Sequence, residues 1–160
     1  MKMLMLMLAT VTVFAVGCVT ERAGMPTPPT DEQMRVTVRR AVQRLITDPD
    51  FKTMYGRVKS HVSARGNDRP TMTIDELESH VKGLSDYVLN PARDELKVAV
   101  RKTRLFRIAD SRWSETSDFG LSGNLTVSSD GLHYYLSMRL LYYANDNEEI
   151  WNDFQEVGRE

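Results

Sequence analysis

The stretch FGLSGNLTVSSDGLHYYLSMRLLYYANDNEEIWNDFQEV, residues 119–157, decides the fold. Phe119, Leu121, Gly123, Leu125 and Val127 alternate with Gly120, Ser122, Asn124, Thr126 and Ser128, the period-two pattern of a half-buried strand. Ser129-Asp130-Gly131 is a hairpin signal. From Leu132 to Tyr143 the alternation resumes, with Leu132, Tyr134, Leu136, Met138, Leu140 and Tyr142 on one face. The other face carries His133, Tyr135, Ser137, Arg139, Leu141 and Tyr143 and is only partly polar. Asn145-Asp146-Asn147 turns the chain into a last strand, Glu148 to Val157, bearing Trp151 and Phe154. The expectation is a three-stranded antiparallel meander with one apolar face.

Upstream, the pattern changes period. Met34, Val38, Ala41, Val42 and Leu45 fall on one face of a helix spanning Asp31 to Thr47, with Arg35, Arg39, Arg40 and Gln43 opposite. Thr30 and Gln33 form a capping box, and Asp48-Pro49-Asp50 stops the helix. Phe51, Met54, Tyr55 and Val58 predict a short second helix, followed by a loop to Pro70. Thr71 to Val81 is ambiguous. Ile74, Leu77, Val81, Leu84 and Val88 keep helical spacing, while Met72 and Ile74 alternate as in a strand, and periodicity favours the helix slightly. Asn90-Pro91 reads as a cap followed by proline at the first helical position. Leu105 to Asp110 reads as a strand.

Composition bounds the function. The 160 residues hold 21 Lys+Arg against 22 Asp+Glu, so a dedicated nucleic-acid binder, which needs a basic excess, is not expected. One cysteine, Cys18, excludes a disulfide framework and any multi-thiolate metal site. His61, His80 and His133 are scattered, and no pair has helical metal-site spacing. No Gly-rich phosphate loop or G-x-S-x-G elbow appears. The expectation is no catalytic residue, no metal, no cofactor and no small-molecule substrate. Tyr134, Tyr135, Tyr142, Tyr143 and Trp151 crowd adjacent strands, and packing accounts for such a cluster. On the second face, Tyr135, Arg139 and Tyr143 are also residue types that dominate protein-binding hot spots, so they are the candidate partner surface.

The N-terminus reads as an address. Met3 to Val16 is apolar except for Thr10 and Thr12, and Lys2 precedes it. Fourteen helical residues reach roughly 21 Å, short of the about 30 Å of a bilayer core but right for a signal h-region. Ala15-Val16-Gly17-Cys18 resembles the lipobox of bacterial lipoproteins, cut after Gly17 and acylated on Cys18. That resemblance implies covalent diacylglycerol and N-acyl lipid on Cys18, a stable anchor where one chain alone is marginal. Val19, in place of Asp, resembles the sorting signal for the outer membrane. Val19 to Thr30 contains Gly24, Pro26, Pro28 and Pro29, an extended tether reaching about 40 Å.

Several segments resemble the LpoB-type lipoproteins, activators of peptidoglycan-synthesising penicillin-binding proteins, related to CsgG/TolB-N-like domains. Arg69-Pro70 followed by Met72, Ile74 and Leu77 is similar to that family's first strand. Asp94-Glu95-Leu96 through Leu105-Phe106-Arg107-Ile108-Ala109-Asp110-Ser111 resembles its helix running into a strand. Asp118-Phe119-Gly120-Leu121-Ser122-Gly123, Tyr134-Tyr135 with Leu136, Met138 and Leu140, and Glu149-Ile150-Trp151 resemble the starts or bodies of its later strands. The resemblance covers Asp31 to Glu160 and assigns Thr71–Leu77 to a strand. It implies a non-enzymatic outer-membrane lipoprotein at the periplasmic face, partnered with a penicillin-binding protein or another envelope protein. The alternative is a structural or assembly subunit of an outer-membrane complex.

These readings predict three segments: a signal peptide over 1–17, the acylated cysteine and Pro-rich tether over 18–30, and one domain over 31–160. The expected fold is α/β (α+β), a single mixed sheet ending in the meander and packed by two or more helices. The eight residues Ser111 to Asp118 are fewer than the dozen a parallel crossover needs, which predicts an antiparallel or distorted connection there.

Overall fold

Two helices meet at one residue. Asp48 ends α1 (Asp31–Thr47), its N–H donating to the Arg44 and Leu45 carbonyls at 3.0 and 3.2 Å. Its carboxylate also caps α2 (Pro49–Ala64), accepting from the Phe51 N–H at 2.8 Å, with Pro49 at the first helical position. The computed structural model describes residues 26–109, 117–144 and 147–159. The predicted signal peptide, the Gly17–Cys18 lipobox and the tether as far as residue 25 lie outside the described residues.

The capping box forms as predicted, with the Thr30 N–H donating to Gln33 Oε1 at 2.8 Å and the Gln33 N–H to Thr30 Oγ1 at 3.2 Å. The second helix is longer than the short one predicted, because Val62 extends its buried stripe one turn past Val58. The third helix, α3 (Asn90–Thr103), corrects the cap reading. Asn90 is already helical, with φ −57° and ψ −45°, and Leu89 precedes it without a side-chain cap. A 3-10 turn over Asp86–Leu89 runs directly into the helix, so the Asn90 side chain accepts from Arg93 Nη1 at 3.0 Å instead of capping.

The strands are β1 (Thr71–Ser79), β2 (Arg107–Ile108), β3 (Phe119–Val127), β4 (Tyr134–Tyr142) and β5 (Glu148–Glu156). They form one sheet in the order β2-β1-β3-β4-β5. β2 and β3 flank β1 and both run parallel to it, while β3, β4 and β5 form the predicted antiparallel meander. β1 is a strand, as the resemblance assigned for Thr71–Leu77 and against its helical spacing. A register shift between Ile74 and Leu77 inserts a bulge, so Met72, Ile74 and Leu77 all reach the same face although the last two are three apart.

Two further expectations need correction. Among the described residues of the strand predicted over Leu105–Asp110, only Arg107 and Ile108 are ladder partners of β1, with the Ala109 N–H adding a bond to the Met72 carbonyl at 2.9 Å. β2 and β3 point the same way, which overturns the antiparallel half of the expected connection, while its distorted alternative falls on residues outside those described. The dozen-residue requirement applies to full-length strands. β2 is two residues long, about 7 Å of rise, and the return path it demands is correspondingly short. Residues 110–116 of that link lie outside the described residues.

All three helices pack on one sheet face. α1 contributes Met34, Val38, Ala41 and Leu45, and α3 contributes Ala92, Leu96 and Val100. They meet Leu77, Leu121, Leu125, Leu136, Met138 and Leu140 of the strands. Each valine, leucine or methionine among them stabilises the fold by roughly 1.5–3 kcal/mol relative to exposure. Phe51, Tyr55, Phe106, Phe119 and Tyr142 close one end of this core with ring centroids 5.5–6.1 Å apart. Among the described residues, every buried apolar residue lies between Met34 and Trp151, so a chain beginning at Val19 holds all of that core.

Candidate functional site

The opposite sheet face carries no helix among the described residues. Because side chains alternate, β1 places Thr73, Asp75 and Glu78 there, and β3 places Ser122, Asn124 and Thr126. β4 adds Tyr135, Ser137, Arg139 and Leu141, and β5 adds Asn152, Phe154 and Glu156. All three sequence candidates, Tyr135, Arg139 and Tyr143, stand on this face. Arg139 is exposed and the two tyrosines are half-buried.

Each candidate has a defined setting. Tyr135 stacks on Phe154 at 4.7 Å between centroids and 11° between planes. Phe154 itself is 61% exposed, so the stack presents one aromatic face to solvent. Sequence reading placed Phe154 on the last strand without giving it a face. The signal was available: Trp151 and Phe154 are three apart, an odd spacing that sends them to opposite sides of a strand. Arg139 Nε donates to Ser122 Oγ at 3.1 Å, which fixes the guanidinium across β3. The Tyr143 hydroxyl donates to Asp75 Oδ2 at 3.3 Å, and the ring lies over Gly120. Burial, then the neighbouring Asp75 carboxylate, pushes the Tyr143 phenol above its usual range.

A shallow depression of about 310 Å³ lies in the middle of this face, lined by Asp75, Glu78, Ser122, Asn124, Arg139 and Leu141. At the rim, His133 Nδ1 is 2.8 Å from Glu156 Oε1. β5 is an edge strand. The Val157 N–H donates to the Tyr134 carbonyl, and alternation from that pair turns the N–H and C=O of Gln155 and Asp153 toward β4. The backbone groups of Asn152, Phe154 and Glu156 therefore point away from the sheet, beside the exposed Phe154 ring.

The arrangement suits recognition of a surface. Of the polar residues that would have to converge for hydrolysis, Asp110, Asp118 and His133, the two described ones lie far apart. Asp118 is occupied structurally: its carboxylate accepts from the Thr71 N–H at 2.8 Å and from Arg65 Nη2 at 3.1 Å. His133 sits at the far end of β3, about 30 Å along the strand from Asp118. Asp110 lies outside the described residues. No group of three metal-ligating side chains occurs among the described residues.

No protein-family model matches the sequence, and no curated protein matches it. Among solved structures, the chain is similar to the LpoB C-terminal domain from Salmonella enterica, at 13% identity and a TM-score of 0.49, over 76% of this chain and 98% of that one. It is similar to the LpoB C-terminal domain from Escherichia coli at 15% identity and 0.44, over 63% and 95%. It is also similar to a PelC dodecamer chain from Paraburkholderia phytofirmans at 15% and 0.34, over 56% and 73%.

Proposed function

We propose that this chain is a non-enzymatic lipoprotein of the outer membrane, anchored at Cys18, that binds and regulates a peptidoglycan synthase of the penicillin-binding class. The open sheet face carries the reading: an exposed Tyr135–Phe154 stack beside Arg139, on a face no described helix covers. Aromatic residues and arginine concentrate binding energy at protein interfaces, and burying Phe154 against a partner would remove a large apolar side chain from water. The lipobox and the strand motifs that resemble the LpoB type supply the compartment and the class of partner.

In-cell crosslinking followed by identification of the captured protein tests this reading. A penicillin-binding protein is expected, with faster glycan polymerisation or crosslinking when the purified pair is mixed. Phe154→Ala and Arg139→Ala should each weaken the complex by tenfold or more, as hot-spot truncations of about 2 kcal/mol do. A synthase that is neither captured nor altered in rate would sink the proposal. Capture of an outer-membrane assembly instead would move the chain to the structural-subunit reading.

A further inference from the structure

The near-zero net charge conceals a polarised molecule. The three helices hold eleven Lys/Arg against five Asp/Glu, a balance of +6, and the five strands hold two against seven, a balance of −5. All three helices lie on one side of the sheet, so their basic surplus lies there; of the strand carboxylates, Asp75, Glu78 and Glu156 face the opposite side, while Asp153 turns back to Arg44.

Exposed cations with no carboxylate partner among the described residues stand on α2, at Lys52, Arg57 and Lys59, as well as on α3. On α1, Arg39 is drawn to Glu32 at 2.5 Å and to Glu95 at 3.8 Å, Arg35 lies 3.7 Å from Glu95, and Arg44 lies 3.0 Å from Asp153. Lys97, Arg101 and Lys102 are exposed on α3 and have no carboxylate partner among the described residues. Beside them Val98 is 42% exposed. A groove of about 310 Å³ runs between α1 and α3, with Val42, Ile46 and Ala99 as an apolar floor and Arg39, Lys102 and the Glu95 carboxylate, which Arg35 and Arg39 offset, at its sides.

We propose that the α1–α3 face docks on a membrane surface rich in anionic headgroups. Lipid phosphates would meet Lys97, Arg101 and Lys102, and the apolar floor with Val98 would face the boundary between headgroups and acyl chains. Cations around an apolar strip are the composition that binds the interface plane of a bilayer. The same apolar floor, without an exposed aromatic for base stacking, disfavours a nucleic acid as the occupant. This goes beyond the function proposed above and does not need the acyl anchor. It orients the domain with its helices toward the lipid and its open sheet face away, where a protein partner can reach it.

Vesicle flotation with the chain beginning at Val19, which keeps the core of the described residues and lacks Cys18, tests the proposal. It should float with phosphatidylcholine vesicles containing phosphatidylglycerol, and high salt should release it. Each of Lys97→Gln, Arg101→Gln and Lys102→Gln should lower the partition on the order of fivefold, the effect of one cation near an anionic surface. Arg107→Gln, on β2, should leave it unchanged. No flotation at low salt, equal flotation with phosphatidylcholine alone, or retention on duplex DNA in place of vesicles would overturn it. Co-purification with a synthase reads a different face, so the two proposals can fail separately.

Discussion

Gly120 and Gly123 are three positions apart, on opposite faces of β3, and constrain the sheet differently. A Cβ on Gly120 would enter the Tyr143 ring and hydroxyl, the mobile end of a side chain. A Cβ on Gly123 would stand 2.7 Å from the Ser137 carbonyl oxygen and 2.9 Å from Leu77 Cδ2, and the backbone of β4 cannot swing aside. Gly123→Ala should therefore destabilise by about 2–3 kcal/mol, near the upper end for overpacking, and Gly120→Ala by about 1 kcal/mol with displacement of Tyr143. Urea denaturation of both variants checks the order, and equal midpoints would refute it. Three tyrosines, Tyr55, Tyr134 and Tyr143, have their phenols raised, each chiefly by burial. In the unfolded chain they ionise near the usual value of about 10. Above that pH the unfolded state releases protons that the folded state still holds, so stability is fully present below about pH 10 and is lost as pH rises through the folded values. Tyr143→Phe should flatten the alkaline fall in the urea midpoint. The slope is the diagnostic, because the substitution also removes the hydrogen bond to Asp75.

At the scale of elements, caps and edges are decisive. Asp48 serves two helices, so Asp48→Ala should cost about 1 kcal/mol, whereas Asn90→Ala, at a residue already inside α3, should cost less than half of that. Thermal melts of the two variants decide between a cap at Asn90 and the continuous 3-10 entry seen here. The Asn90-Pro91 pair was misleading because local sequence cannot show that a preceding turn has already begun the helix. β1 was misleading for a related reason. Ile74, Leu77 and Val81 carry helical spacing, and only pairing with β3 reveals the bulge that reconciles it with a strand. The meander was legible because its two-residue alternation continues almost unbroken through β3 and β4; Leu132, expected on the apolar face, falls before β4 and is 61% exposed. The edge character of β5 gives a further test. Amides of Asp153 and Gln155, turned toward β4, should exchange slowly with deuterium, and those of Asn152, Phe154 and Glu156 quickly. Uniform protection along β5 would mean that another strand or partner already covers the edge.

For the molecule as a whole, one core has to serve both the local meander and the non-local pairing of β1 with β2 and β3. The candidate face was half legible at this scale. Tyr135, Arg139 and Tyr143 follow from alternation along a single strand, but Phe154, Asp75 and Ser122 join them only through the strand order β2-β1-β3-β4-β5, which no local pattern encodes. That shared core makes a definite claim about unfolding. Leu45 of α1 and Leu125 of β3 are at most 1% exposed and belong to the same buried cluster. If helices and sheet are one cooperative unit, Leu45→Ala and Leu125→Ala should each lower stability by about 2–5 kcal/mol, the range for truncating a buried leucine. Each should also shift the urea midpoint without changing the slope of the transition. Helical circular dichroism and the near-ultraviolet signal of the aromatic cluster should then fall together in both variants. Were the helical signal of Leu45→Ala lost first, with the Phe106–Phe119 environment intact, the helical layer would be a separable unit. The basic face of α1 and α3 could then move independently of the open sheet face, and the fixed opposition of the two proposed surfaces would be wrong.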